Sequence, residues 1–98
     1  MSAVVAEQDG TLVGLAHYVF HLNTIMQEPT CYMQDLFTSE TARGKGVGRS
    51  LITAVYDRAA IAGASNVYWH THQTNTKAMK LYDAMASNSG FLVYRHKL

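Results

Sequence analysis

Three glycines at alternate positions, Gly44, Gly46 and Gly48, share a short segment with Arg43, Lys45 and Arg49. Such a segment becomes an anion site where it runs into a helix. The first-turn N–H groups of a helix lack partners within it, and the macrodipole adds roughly half a positive charge at that end. Glycines remove the Cβ atoms that would keep a phosphate from the backbone, and arginines add charge-assisted bonds. A Walker loop requires Gly-x-x-x-x-Gly-Lys-Ser/Thr, but no lysine follows the last glycine in Gly44 to Ser50. The dinucleotide fingerprint requires Gly-x-Gly-x-x-Gly, whereas the spacing here is Gly-x-Gly-x-Gly. The plain alternative is a glycine-rich turn that holds nothing.

The histidines are the other residues with chemical potential. His17 and His21 are in phase on one expected strand, and His70 and His72 on another. Together with Cys31 they could be imagined as a zinc site. No dense Cys/His ligand spacing supports one, so no metal is expected. Core or surface roles suit them better, with a proton relay by one of them as the sharper alternative. Cys31 is the only cysteine, which rules out an intramolecular disulfide and fits a reducing, cytoplasmic setting.

These residues must be positioned by a small set of elements. Residues 3–6 read as a strand, and Asp9-Gly10 suits a tight hairpin turn because both residues tolerate positive φ. Residues 11–22 read as a long second strand, 23–30 with Pro29 as a loop, and 31–37 as a third strand. Val47, Leu51, Ile52, Val55, Ala59 and Ala62 then recur at helical spacing, with Gly63 placed to end that helix. Residues 67–71 are expected as a strand. Asn75 or Thr74 can cap a second helix carrying Ala78, Leu81, Tyr82 and Met85. Residues 91–95 would close the chain as a last strand. The order β-β-β-α-β-α-β predicts an α/β (α+β) fold, a mixed sheet with helices on its faces.

Bulk properties set the remaining bounds. Ninety-eight residues suffice for a single domain, 1–98, with a thin stability margin. A net charge of +1 lacks the dominant basic face of a nucleic-acid protein. No window approaches a membrane span, and the N-terminus has no signal-peptide pattern.

Arg43-Gly44-Lys45-Gly46-Val47-Gly48 resembles the Arg/Gln-x-x-Gly-x-Gly/Ala signature of the GNAT (GCN5-related N-acetyltransferase) superfamily. Asn75, Ala78, Leu81-Tyr82 and Gly90-Phe91 resemble its Asn…Ala…Leu-Tyr…Gly-Phe pattern. Cys31-Tyr32-Met33-Gln34-Asp35-Leu36-Phe37 looks like a segment of the polyamine and histone-type amine acetyltransferases. The resemblance implies that acetyl-CoA lies in a splayed gap between the parallel strands that start near Cys31 and Val67. The backbone of Leu36, Phe37 and Thr38 would then pair with the pantetheine arm. The pyrophosphate would rest on Gly44, Lys45, Gly46, Val47 and Gly48 with help from Arg43 and Arg49, and Asn75 would contact the cofactor.

The resemblance also implies direct transfer to a primary amine, with Tyr82 reprotonating the CoA thiolate. Related polyamine enzymes carry glutamate at the position of Gln34, and glutamine is no useful proton acceptor. Asp35 is expected on the opposite strand face, while Tyr32 shares the Gln34 face and could order a water. The base is thus left unassigned. Full-length members begin with a further strand and two helices and end with a seventh strand. Their absence here implies an exposed sheet edge and an uncovered apolar face, and hence a homodimer or higher oligomer. A catalytically weak or inactive CoA-binding or oligomerisation module is the alternative reading.

Overall fold

The computed structural model describes residues 1–22, 28–42, 44–72, 74–90 and 92–98. Strand β1 (Ser2–Gln8) turns through Asp9 and Gly10 into β2 (Thr11–Leu22), and β3 (Pro29–Thr38) follows. A single 3-10 turn, Glu40–Ala42, leads to helix α1 (Val47–Ile61), then β4 (Val67–Tyr68) and α2 (Thr76–Met85). The sheet order is β1-β2-β3-β4, antiparallel except for the parallel pair β3 and β4.

Local chemistry accounts for most boundaries. Asp9 (φ 53°) and Gly10 (φ 77°) both occupy the left-handed region, as a two-residue turn matched to strand twist requires. Helix α1 buries Leu51, Ile52, Val55 and Ala59 against Val4, Ala16, Tyr18, Cys31 and Met33 of the sheet. It ends at Gly63 (φ 80°), where Gly63 N–H donates to Ala60 O (3.1 Å) and Ala64 N–H to Ala59 O (3.0 Å). That pair of bonds is the Schellman closure, which satisfies carbonyls the helix would otherwise leave open. Helix α2 lies beside α1 and is tied to it where the Tyr56 hydroxyl donates to Met85 O (2.9 Å).

The register of β2 against β3 shifts once. His17 faces Asp35 and Tyr18 faces Met33, so Gln34 is an extra residue, a β-bulge. Bulges bend a strand and disrupt its pairing. On the other side of β3, only Cys31 and Tyr32 pair with β4, opposite Val67 and Tyr68. Beyond them the two strands part, and that edge of β3 has no ladder partner among the described residues. The strand expected over residues 67–71 is therefore shortened to Val67–Tyr68.

The last strand expected over 91–95 is also corrected. Phe91 lies outside the described residues, and 92–98 form no strand, with Leu92, Val93 and Tyr94 exposed. A strand needs a neighbour's backbone as template, and β4 carries only two ladder residues. The loop expected over 23–30 lies largely outside the described residues; its final residues, Pro29 and Thr30, already belong to β3.

Candidate active site

Helix α1 opens on Gly46, its N-cap residue in the left-handed region (φ 80°), and no side chain caps this end. The first helical bond runs from Ser50 N–H to Gly46 O (3.0 Å), so the N–H groups of Val47, Gly48 and Arg49 precede the ladder. Gly44 has the same φ of 80°, and a Cβ at either Gly44 or Gly46 would meet nothing within 4 Å. Their backbone conformation is what demands glycine. Gly48 differs: a Cβ there would lie 3.2 Å from Leu81 Cδ2 of α2. The missing side chain at Gly48 permits the close approach of the two helices.

These groups wall a cavity of about 730 Å³. Leu36, Phe37 and Thr38 enter it from β3, Gly44, Gly46, Val47, Gly48 and Arg49 from the start of α1, and Asn75 and Tyr82 from α2. Lys45 is exposed but is not part of this wall, and Arg43 lies outside the described residues. Lys77, in the first turn of α2, supplies a cation that the sequence did not single out. Its only sequence signal is its place two residues after Asn75.

A second cavity, about 480 Å³, occupies the gap where β3 and β4 separate. Met33, Gln34, Asp35 and Leu36 line one side, and Trp69, His70, Thr71 and His72 the other. Tyr82 and Asn75 border both cavities, so Tyr82 stands where cradle and groove meet. Its ring packs edge-on against Trp69 at 5.4 Å. Burial pushes the Tyr82 hydroxyl above the ordinary tyrosine value, which keeps it protonated at neutral pH. The hydroxyl has no hydrogen-bond partner among the described residues, leaving its proton available.

The bulge at Gln34 changes the strand phase. Tyr32 pairs with Val19 and Asp35 with His17, two residues apart on β2, so Tyr32 and Asp35 share one face. The expected placement of Asp35 on the face opposite Tyr32 is overturned by that single inserted residue. Asp35 accepts an ion pair from His17 (Nδ1–Oδ2, 3.3 Å) on this open face. His21 and Tyr68 lie on the same face, joined by a 2.7 Å hydrogen bond between His21 Nε2 and the Tyr68 hydroxyl. Among the described residues, no three His, Cys, Asp or Glu side chains gather as a metal ligand set.

Gly14 also went unnoticed in the sequence. A Cβ on it would lie 2.9 Å from both Leu51 Cδ1 and Val47 Cγ1. The start of α1 thus rests directly on the β2 backbone, which fixes the height of the cradle above the sheet. A glycine inside an otherwise apolar strand was the available signal.

The model of the acetyltransferase (GNAT) family matches residues 1–86. The chain belongs to that family. A D-amino-acid N-acetyltransferase of Saccharomyces cerevisiae is 42% identical over 88 residues, covering 90% of this chain and 55% of the relative. An L-ornithine N5-acetyltransferase of Arabidopsis thaliana is 28% identical over 79 residues, covering 81% of this chain and 35% of the relative. The chain therefore spans about a third to a half of these two curated relatives.

Among solved structures, an integron cassette protein of V. cholerae superposes with a TM-score of 0.88 at 27% identity, over 97% of this chain and 60% of that one. An aminoglycoside N-acetyltransferase in complex with CoA superposes at 0.84 with 22% identity, over 97% of this chain and 65% of the other. At that identity the likeness speaks for the fold alone. Within this GNAT fold, the cavity at the parted strands β3 and β4 and the cavity at the uncapped start of α1 adjoin along Leu36, Asn75 and Tyr82. No helix among the described residues is long and apolar enough to cross a membrane.

Proposed function

We propose that this chain transfers an acetyl group from acetyl-CoA to a primary amine of a small molecule, by direct attack in a ternary complex. One observation carries the reading: Tyr82, its hydroxyl protonated and without a hydrogen-bond partner among the described residues, borders both the helix-end cradle and the groove between parted strands. The residues fit the co-substrate's two ends. Open N–H groups at the start of α1, with Arg49 and Lys77, suit a pyrophosphate, and the unpaired β3 edge over residues 33–38 suits the amides of an extended arm.

Acetyl-CoA would supply the activated thioester. The chain's own residues would hold it and manage protons. Tyr82 is placed to give its proton to the departing thiolate sulfur. The acceptor must lose one, because an amine with an ordinary pKa of about 10.4 is mostly charged at neutral pH. Freeing it costs about 4–5 kcal/mol. The relatives named above take amine acceptors, which supports an amine here. Exposed Val5, Leu12 and Phe37 favour self-association, which sedimentation at micromolar concentration tests. The single buried thiol, Cys31, suits a cytoplasmic setting.

A thermal-shift titration tests binding: millimolar acetyl-CoA is expected to raise the unfolding temperature. Thiol release is then followed with D-amino acids, ornithine, polyamines, aminoglycosides and lysine peptides. Stabilisation without thiol release from any of them would leave a CoA-binding module and overturn the transferase reading. No stabilisation at all would overturn both.

A further inference from the structure

His70 sits on the wall of the groove across from Gln34, in the same cavity as Tyr82. Its ring is held from two elements. The Tyr32 hydroxyl of β3 lies 3.4 Å from His70 Nδ1, with ring centroids 5.4 Å apart. Tyr68, the last residue of β4, meets the imidazole edge-on at 6.0 Å and packs on Tyr32 at 4.9 Å. His21 of β2 in turn anchors Tyr68 through its hydroxyl (2.7 Å). The imidazole is thus oriented by aromatic neighbours while remaining exposed, and Nε2 has no hydrogen bond among the described residues.

The other ionisable groups facing this position are few. Tyr32 and Asp35 come from β3, Tyr68 and His72 from its own segment, Tyr82 from α2, and His21 reaches it only through Tyr68. Among the described residues, no lysine or arginine lines the groove. Asp35 is the only carboxylate there among the described residues, and it is engaged by His17. A carboxylate also has a poor driving force for taking a proton from an ammonium, whereas imidazole is the acceptor best matched to neutral pH. The tyrosine faces beside it attract an ammonium electrostatically.

We infer that His70 is the general base that takes the proton from the acceptor amine, the role Gln34 does not fill; this rests on the acetyltransferase reading above. Nδ1–H donates to the Tyr32 oxygen, which leaves the lone pair on Nε2. One proton passes from the ammonium to Nε2, giving an imidazolium and a neutral amine. The amine lone pair then forms the C–N bond as the C–S bond breaks; the thiolate takes its proton from Tyr82, and the second proton, shed by the new amide nitrogen, passes through water to restore the tyrosine hydroxyl. The exposed imidazolium returns its proton to solvent.

The test is kcat/KM for the amine as a function of pH, for the wild-type chain, His70→Gln, Tyr32→Phe and Asp35→Asn, with acetyl-CoA affinity measured alongside. The wild type is expected to show an acid limb, the signature of an essential base. His70→Gln should lose that limb and fall roughly 10²-fold at pH 7, recovering at higher pH, with acetyl-CoA affinity unchanged. Tyr32→Phe should keep the limb but shift its midpoint. His70→Gln with the wild-type limb and rate overturns the inference and leaves acetyl transfer standing. An Asp35→Asn profile without the limb also overturns it, by assigning the base to Asp35. A parallel loss of rate and acetyl-CoA affinity in His70→Gln would mark a structural role and overturn it as well. No thiol release by the wild type removes both this inference and the transferase reading.

Discussion

Gly48 of α1 and Leu81 of α2 approach so closely that a Cβ on the glycine would lie 3.2 Å from the leucine Cδ2. This contact sets the separation of the two helices that wall the larger cavity. It makes Gly48 a gauge of cavity width.

Gly48→Ala should therefore divide its effects. An alanine within a helix gains up to about 1 kcal/mol over glycine, while Leu81 must yield a few tenths of an ångström. Thermal stability is expected to change little, and acetyl-CoA affinity to fall several-fold as α2 moves. Unchanged affinity in a thermal-shift titration would mean that Leu81 absorbs the methyl without moving the helix.

Gly14→Ala should act on the fold itself. The new methyl would meet Leu51 and Val47 at 2.9 Å and the Phe37 carbonyl oxygen at 3.2 Å. Overpacking of this kind costs about 1–3 kcal/mol. For a chain of this size, roughly 4–8 °C of melting temperature is lost per kcal/mol. Thermal unfolding by circular dichroism measures it, and a wild-type midpoint would show that α1 can lift at no cost.

Tyr82→Phe keeps the ring against Trp69 and removes only the proton. Turnover is expected to drop at least 10²-fold, the lower bound for losing a positioned acid, with acetyl-CoA affinity nearly unchanged. Equal losses in both would make Tyr82 a packing residue.

Stability should decline in alkali. Burial raises Cys31 above 9.0, and Tyr56 and Tyr82 above 10.0, so each folded-state value exceeds its ordinary one. Between those two values the folded chain binds more protons than the unfolded chain, and stability falls as pH rises. Full stabilisation is present below pH 9.0 and is lost progressively as the folded values are passed. Urea midpoints at a series of pH values from neutral to 11 would reveal the slope; a flat profile would count against it. The buried Cys31 thiol should also resist alkylation until the chain unfolds.

Features governed by neighbours in the chain were legible from the amino acids alone. The Asp9-Gly10 turn, the buried stripe of α1 and its closure at Gly63 each depend on φ preferences and a 3.6-residue period. The cradle's glycines belong with them, because positive φ at Gly44 and Gly46 is a property of the segment itself. Features governed by the partner strand were not legible. The insertion of Gln34 into β3 has no local signature, yet one extra residue reverses which side chains share a face, and it joined Asp35 to Tyr32. The two-residue length of β4, the unpaired segment 92–98 and the contact of Gly14 with α1 likewise depend on what lies across a gap. His70 and Tyr32 are 38 positions apart and have no common period, so only the parallel pairing of β3 with β4 could bring an oriented imidazole to the groove.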